Sequence, residues 1–123
     1  MKQCIPSVRS ILLILVLAAA VPTAAAEKLP PIWGYGVQSC KAFVTAADGR
    51  EQGADLHDWE YRRYQDWLTG FVTGLNLATG KDVLVGADID SAMKRIQAHC
   101  RGNEQEDFFT AAMDLVRMLS GLR

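Results

Sequence analysis

The sequence predicts an all-α fold, a compact bundle of about four helices stapled by one disulfide. Three observations carry that reading. Apolar residues return every three or four positions in four separate segments, the spacing of one helical face. No segment shows the strict alternation of a half-buried strand. Two cysteines, Cys40 and Cys100, remain once an N-terminal export segment is set aside. With 123 residues, half of them hydrophobic and 22% charged, the chain has the size and composition of one globular domain. Thirteen Lys and Arg against 14 Asp and Glu lack the basic surplus of a nucleic-acid binder.

Residues 1–26 read as a cleaved secretory signal peptide. Lys2 and Arg9 form a positive start, Ile11 to Val21 is an uncharged apolar run, and Ala24-Ala25-Ala26 offers small residues to a signal peptidase. A spanning helix needs about 20 apolar residues, and Pro22 ends this run well short of that. Cleavage removes Lys2, Arg9 and Cys4, leaving 11 of the 13 basic residues, all 14 acidic ones and a net charge of −3. The expected product has no membrane span and lies in the periplasm. In such an oxidising compartment the default for Cys40 and Cys100 is a disulfide with each other. The alternatives are a reactive thiol or a metal site drawing on His57 and His99 as well, although adjacent His99 and Cys100 are poorly spaced for tetrahedral zinc.

Residues 27–36 read as an extended N-terminal arm, because Pro30-Pro31 favours an extended chain and Gly34 and Gly36 loosen it. Its Ile32, Trp33 and Tyr35 either tuck onto the core or remain open to a partner. Residues 37–123 form the single helical domain. Its first helix runs from Val37 along Cys40, Phe43, Val44 and Ala47 to a turn at Asp48-Gly49, with a loop to Leu56. Asp55 or Asp58 caps the longest helix, whose stripe is Trp59, Tyr64, Trp67, Leu68, Phe71, Val72, Leu75 and Ala78, and which Gly80 ends. The cluster Trp59, Tyr61, Tyr64, Trp67 reads as core with an amphipathic rim. Gly70 and Gly74 each cost about 1 kcal/mol of helix propensity relative to alanine, a cost offset if a neighbouring helix packs closely there.

Lys81 to Ala87 is a short connection holding one turn or a brief extended stretch. Asp88 or Asp90 caps a third helix with Ile89, Met93, Ile96 and Cys100 on one face, closed by Gly102. Asn103 with Glu106 resembles a capping box for a fourth helix, whose stripe reads Phe109, Ala112, Met113, Val116 and Leu119. No nucleophile elbow, zinc-protease helix, phosphate loop or dinucleotide glycine motif is present. The expectation is therefore a protein that is no enzyme and uses no cofactor or metal.

Two resemblances bear on function. Ser39-Cys40-Lys41-Ala42-Phe43, the Asp88-Ile89-Asp90 start and the stretch Ile96 to Asn103 around Cys100, followed by Phe108-Phe109, together resemble the HdeA/HdeB family of periplasmic acid-stress chaperones. That resemblance implies a holdase which exposes apolar helix faces to unfolded clients at low pH, as carboxylates protonate and positive charge accumulates. The central Gly70-Phe71-Val72-Thr73-Gly74, with Asn103 and the alanine-rich last helix, is similar to exported immunity proteins against type VI secretion amidases. This second resemblance implies a preformed protein-binding surface on the arm or the edge of the long helix. A non-catalytic envelope protein is the third reading, and a homodimer is compatible with each.

Overall fold

A computed structural model of the chain describes residues 29–122; the export segment read at 1–26, and Glu27 and Lys28 of the arm, lie outside them. Four helices are present among the described residues: α1 (Cys40–Glu51), α2 (Asp55–Thr79), α3 (Ile89–Gly102) and α4 (Phe108–Ser120), preceded by a 3-10 turn at Gly34–Val37. No strand occurs among the described residues, and no helix there is long and apolar enough to cross a membrane.

The cysteines are joined to each other, Cys40 at the start of α1 and Cys100 near the end of α3, both fully buried. The metal set of His57, His99 and the two cysteines is thereby removed, since both sulfurs are spent in the bond. Main-chain bonds reinforce the same junction. Cys40 N donates to Glu106 O at 2.7 Å, Lys41 N to Glu104 O at 3.1 Å and Phe108 N to Gln38 O at 2.8 Å. Ser39 and Asp107 pair as an isolated antiparallel bridge. The segments leading into α1 and α4 therefore satisfy each other's otherwise orphaned helix-start groups.

Helix starts follow short-range chemistry, with two corrections to the sequence reading. Ser39 and Asp88 cap α1 and α3 by accepting from Ala42 N and Ser91 N. The N-cap of α2 is Ala54, without a side-chain bond; Asp55 and Asp58 fall inside its first turn, where they favour the positive end of the helix dipole. The cap of α4 is Asp107, which accepts from Thr110 N at 2.7 Å. Asn103 instead closes α3 by donating to the carbonyl of His99, and Glu106 turns to the His99 ring. Helix α1 also outlasts the turn read at Asp48-Gly49 and runs two residues further. Val37 lies in the 3-10 turn and is exposed.

The core gathers Phe43, Tyr64 and Phe108, all fully buried, with ring centroids 4.7–5.0 Å apart. Tyr61, Tyr64, Leu68 and Val72 are the buried line of α2, while Trp59 and Ala78 of the expected stripe are exposed. In α4 the buried line is Phe108, Ala111, Ala112, Leu115 and Val116. Ala112 and Val116 of the expected stripe are part of it, while Phe109, Met113 and Leu119 are only half-buried, so the face is turned toward Phe108, Ala111 and Leu115 by less than the roughly 100° of one residue. Two consecutive phenylalanines fit either register, and the cap at Asp107 decides between them. The connection 81–87 does more than link helices, for Val83 and Leu84 are buried in it. Asp82 there accepts from Leu84 N and Gly86 N.

Gly70 and Gly74 do not let a neighbouring helix approach. Both are exposed, and a Cβ built on either meets nothing within 4 Å. Each lies two residues, about 200° of helical turn, from the buried Leu68 or Val72, on the face away from the core. Close approach is made elsewhere. A Cβ at Gly36 would overlap the Trp67 ring, and one at Gly49 would overlap the His57 ring. Opposite outcomes are expected for alanine at these two kinds of position. Gly70→Ala and Gly74→Ala should each raise stability by about 0.5–1 kcal/mol through helix propensity, whereas Gly49→Ala should lower it. Denaturant midpoints of the three variants check the signs, and destabilisation by both Gly70→Ala and Gly74→Ala would contradict this placement.

Candidate functional site

The sequence-proposed arm builds the site. Trp33 is extended, Gly34 takes the left-handed φ of 69° that glycine tolerates, and the chain then winds through the 3-10 turn. The turn is held by two aromatic contacts. Tyr35 sets its ring edge-on to Tyr64 at 4.7 Å, and Gly36 lies buried against the Trp67 ring. A hydrogen bond completes the anchor, with Trp67 Nε1 donating to the carbonyl of Trp33 at 2.8 Å. Of the arm's apolar residues, Tyr35 is thus tucked onto the core, Ile32 is half-buried, and Trp33 remains 77% exposed.

Seating the arm beside α2 leaves an apolar groove of about 450 Å³. One wall is Pro31, Ile32 and Trp33 from the arm. The other is Trp67, Phe71 and Phe109, an unbroken aromatic series in which Trp67 stacks on Phe71 at 5.1 Å and Phe71 meets Phe109 edge-on at 5.5 Å. Gly70 borders the groove, and its missing side chain keeps that side open. Asp66 is the single charged residue of the lining. The groove therefore suits an apolar side chain carried next to a cationic or hydrogen-bond-donating group.

Of the other residues singled out in the sequence, Cys40 and Cys100 form a buried structural bond and do not line the groove. Neither His57 nor His99 lines the groove. His57 packs on Gly49, and its Nδ1 is buried without a partner. His99 Nε2 lies 2.8 Å from Glu106 Oε2. Burial pushes the Tyr64 hydroxyl well above the usual phenol range. Two surface carboxylates shift the other way. The Arg62 side chain, bonded to Asp58 with help from Arg50, holds that carboxyl below its ordinary value, and the Ser91 main-chain and side-chain donors do the same for Asp88.

Sequence reasoning reached Trp33, Trp67 and Gly70 but assigned them to separate roles. It did not foresee Phe109 and Phe71 meeting across two helices, nor Pro31 and Ile32 as a wall. The available signal was the Gly34-Tyr35-Gly36 triplet, whose second glycine has no side chain where a large ring must seat.

Fold and site together define a class, a disulfide-stapled four-helix bundle carrying an arm-walled aromatic groove. No family model, curated protein or solved structure matches the chain.

Proposed function

We propose that the chain is a non-catalytic, exported binding module that captures a protein partner at neutral pH by taking an apolar side chain into the groove. The observation that carries this is the groove itself, preformed in the folded state and flanked by a 77% exposed tryptophan. Concave sites lined by aromatic residues with one placed polar group are the usual form of a binding pocket, and exposed tryptophan is enriched at energetic centres of interfaces. Disulfide pairing and the N-terminal sequence support export to the periplasm.

A second reading, the acid-stress holdase, draws on a different observation. The helix cap at Asp88 and the pairs that Asp58 makes with Arg62 and Arg50 depend on ionised carboxylates. Asp58 and Asp88 have folded-state pKa values below the unfolded aspartate value of about 3.9. Their stabilisation is complete above that value and is lost as pH falls through the folded one. Acid therefore loosens the first turn of α2 and the cap of α3.

One experiment separates the readings. Immobilised wild-type protein, Trp33→Ala and Gly70→Leu are exposed to periplasmic extract at pH 7, and suppression of client aggregation is measured at pH 2.5. The binding module predicts one stoichiometric partner at pH 7, with retention falling at least about tenfold in Gly70→Leu, which fills the groove without loss of helicity or stability. Protection confined to pH 2.5, with no groove-dependent partner at pH 7, replaces this reading by the holdase.

A further inference from the structure

A second site lies across the molecule's α3–α4 seam, away from the groove. His99 near the end of α3, Glu106 in the turn that follows and Asp114 on α4 place a ring nitrogen and two carboxylate oxygens all within 4.8 Å of one another. His99 Nε2 and Glu106 Oε2 are already at 2.8 Å. His99 and Glu106 are half-buried, and Asp114 is exposed at the rim. We propose that this triad binds a zinc-class divalent cation.

The donor set fits that ion. One imidazole with two carboxylates is a nitrogen–oxygen set that borderline cations accept, and three protein ligands with one open position is the common arrangement of an accessible zinc. Two carboxylates also balance the charge of the ion. Ligand atoms around tetrahedral zinc stand about 3.3 Å apart, as bonds near 2.0–2.1 Å require. The present separations, 2.8 Å between His99 and Glu106 and none above 4.8 Å, bracket that spacing. The present partner of Asp114 is Arg117, in an exposed pair at 3.3 Å. Exposed pairs of this kind contribute little, so the ion displaces the guanidinium readily. Arg95 borders the same depression.

Two independent features support a built site over a chance cluster. The backbone carrying the ligands is fixed from several directions. Cys100, next to His99, is in the disulfide, the carbonyl of His99 accepts from Asn103 Nδ2, and the carbonyl of Glu106 accepts from Cys40 N. A cavity of about 120 Å³ opens beside the triad, bordered by His99 and Asp114 and walled by Ile96, Leu115 and Met118. It gives the fourth coordination position room for water or for a ligand atom.

The test is zinc chloride titrated by calorimetry into chelator-stripped protein with its disulfide intact. The expected result is saturation at one ion per chain, with affinity reduced at least about tenfold in His99→Gln and in the Glu106→Gln, Asp114→Asn double variant; loss of outer-shell support alone commonly costs 10–100-fold. His57→Gln should bind as the wild type does. Circular dichroism confirms that each variant retains its helicity, and a zinc-dependent rise in melting temperature, absent in His99→Gln, gives an independent readout. Absence of saturable uptake overturns the proposal, as does affinity unchanged in His99→Gln or calcium binding as tightly as zinc.

Discussion

Reducing the Cys40–Cys100 bond should lower stability by about 4 kcal/mol. The bond closes a loop with a sequence separation of 60, and the chain-entropy model assigns a restraint of that size to such a loop in the unfolded ensemble. For a domain of this length, 1 kcal/mol moves the melting temperature by about 4–8 °C, so a fall of roughly 15–30 °C is expected. The two half-cystines are fully buried, so a Cys40→Ser, Cys100→Ser variant adds a second loss, two hydroxyls placed in an apolar setting. Thermal melts with and without reductant, beside a Cys40→Ala, Cys100→Ala variant, measure the covalent contribution. A melting curve indifferent to reductant, with thiol loss verified by mass, would refute the assignment of the bond as a principal restraint.

The second large effect distinguishes two neighbouring residues of one type. Phe108 is fully buried and touches Phe43, Tyr64 and Trp67 with centroids 4.7–5.8 Å away. Phe108→Ala should cost about 3–5 kcal/mol, through lost transfer energy and the cavity left among those rings. Phe109 is half-buried at the groove and meets only Phe71 among the rings. Phe109→Ala should therefore cost far less stability, about 1 kcal/mol for the lost ring pair, while reducing partner retention at pH 7. Chemical denaturation of both variants checks the order. Equal losses, or a larger loss at Phe109, would mean that α4 is rotated from the register described.

Much of the architecture was readable in the residues, because it rests on local rules. Helix count, the stop at Gly80, a cap at Asp88 or Asp90 and the identity of the disulfide partners follow from spacing, capping chemistry and cysteine arithmetic. Errors arose where tertiary contacts choose between local alternatives. The pair Phe108-Phe109 admits two registers, and only the cap at Asp107 and the ring cluster select one. Glycine is similarly ambiguous: Gly70 and Gly74 carried the familiar close-packing pattern yet face outward, whereas Gly36 and Gly49, with no pattern around them, lie against rings. The groove was partly visible as exposed-aromatic potential in the arm. Its opposite wall joins positions 67, 71 and 109, and no periodicity links residues so far apart. The triad at 99, 106 and 114 was hidden for the same reason, since its members belong to two helices and the turn between them.

The junction that sews the entry of α1 to the entry of α4 has a kinetic consequence. Every bond across it joins residues 38–41 to residues 100–108, so nothing local can complete it. Such wide separation along the chain slows folding relative to a bundle of adjacent hairpins. A chain emerging N-terminus first cannot lock its opening helix until nearly its whole length has been delivered. Until then the opening helix rests on α2 alone, through contacts such as Phe43 on Tyr61 and Arg50 on Asp58.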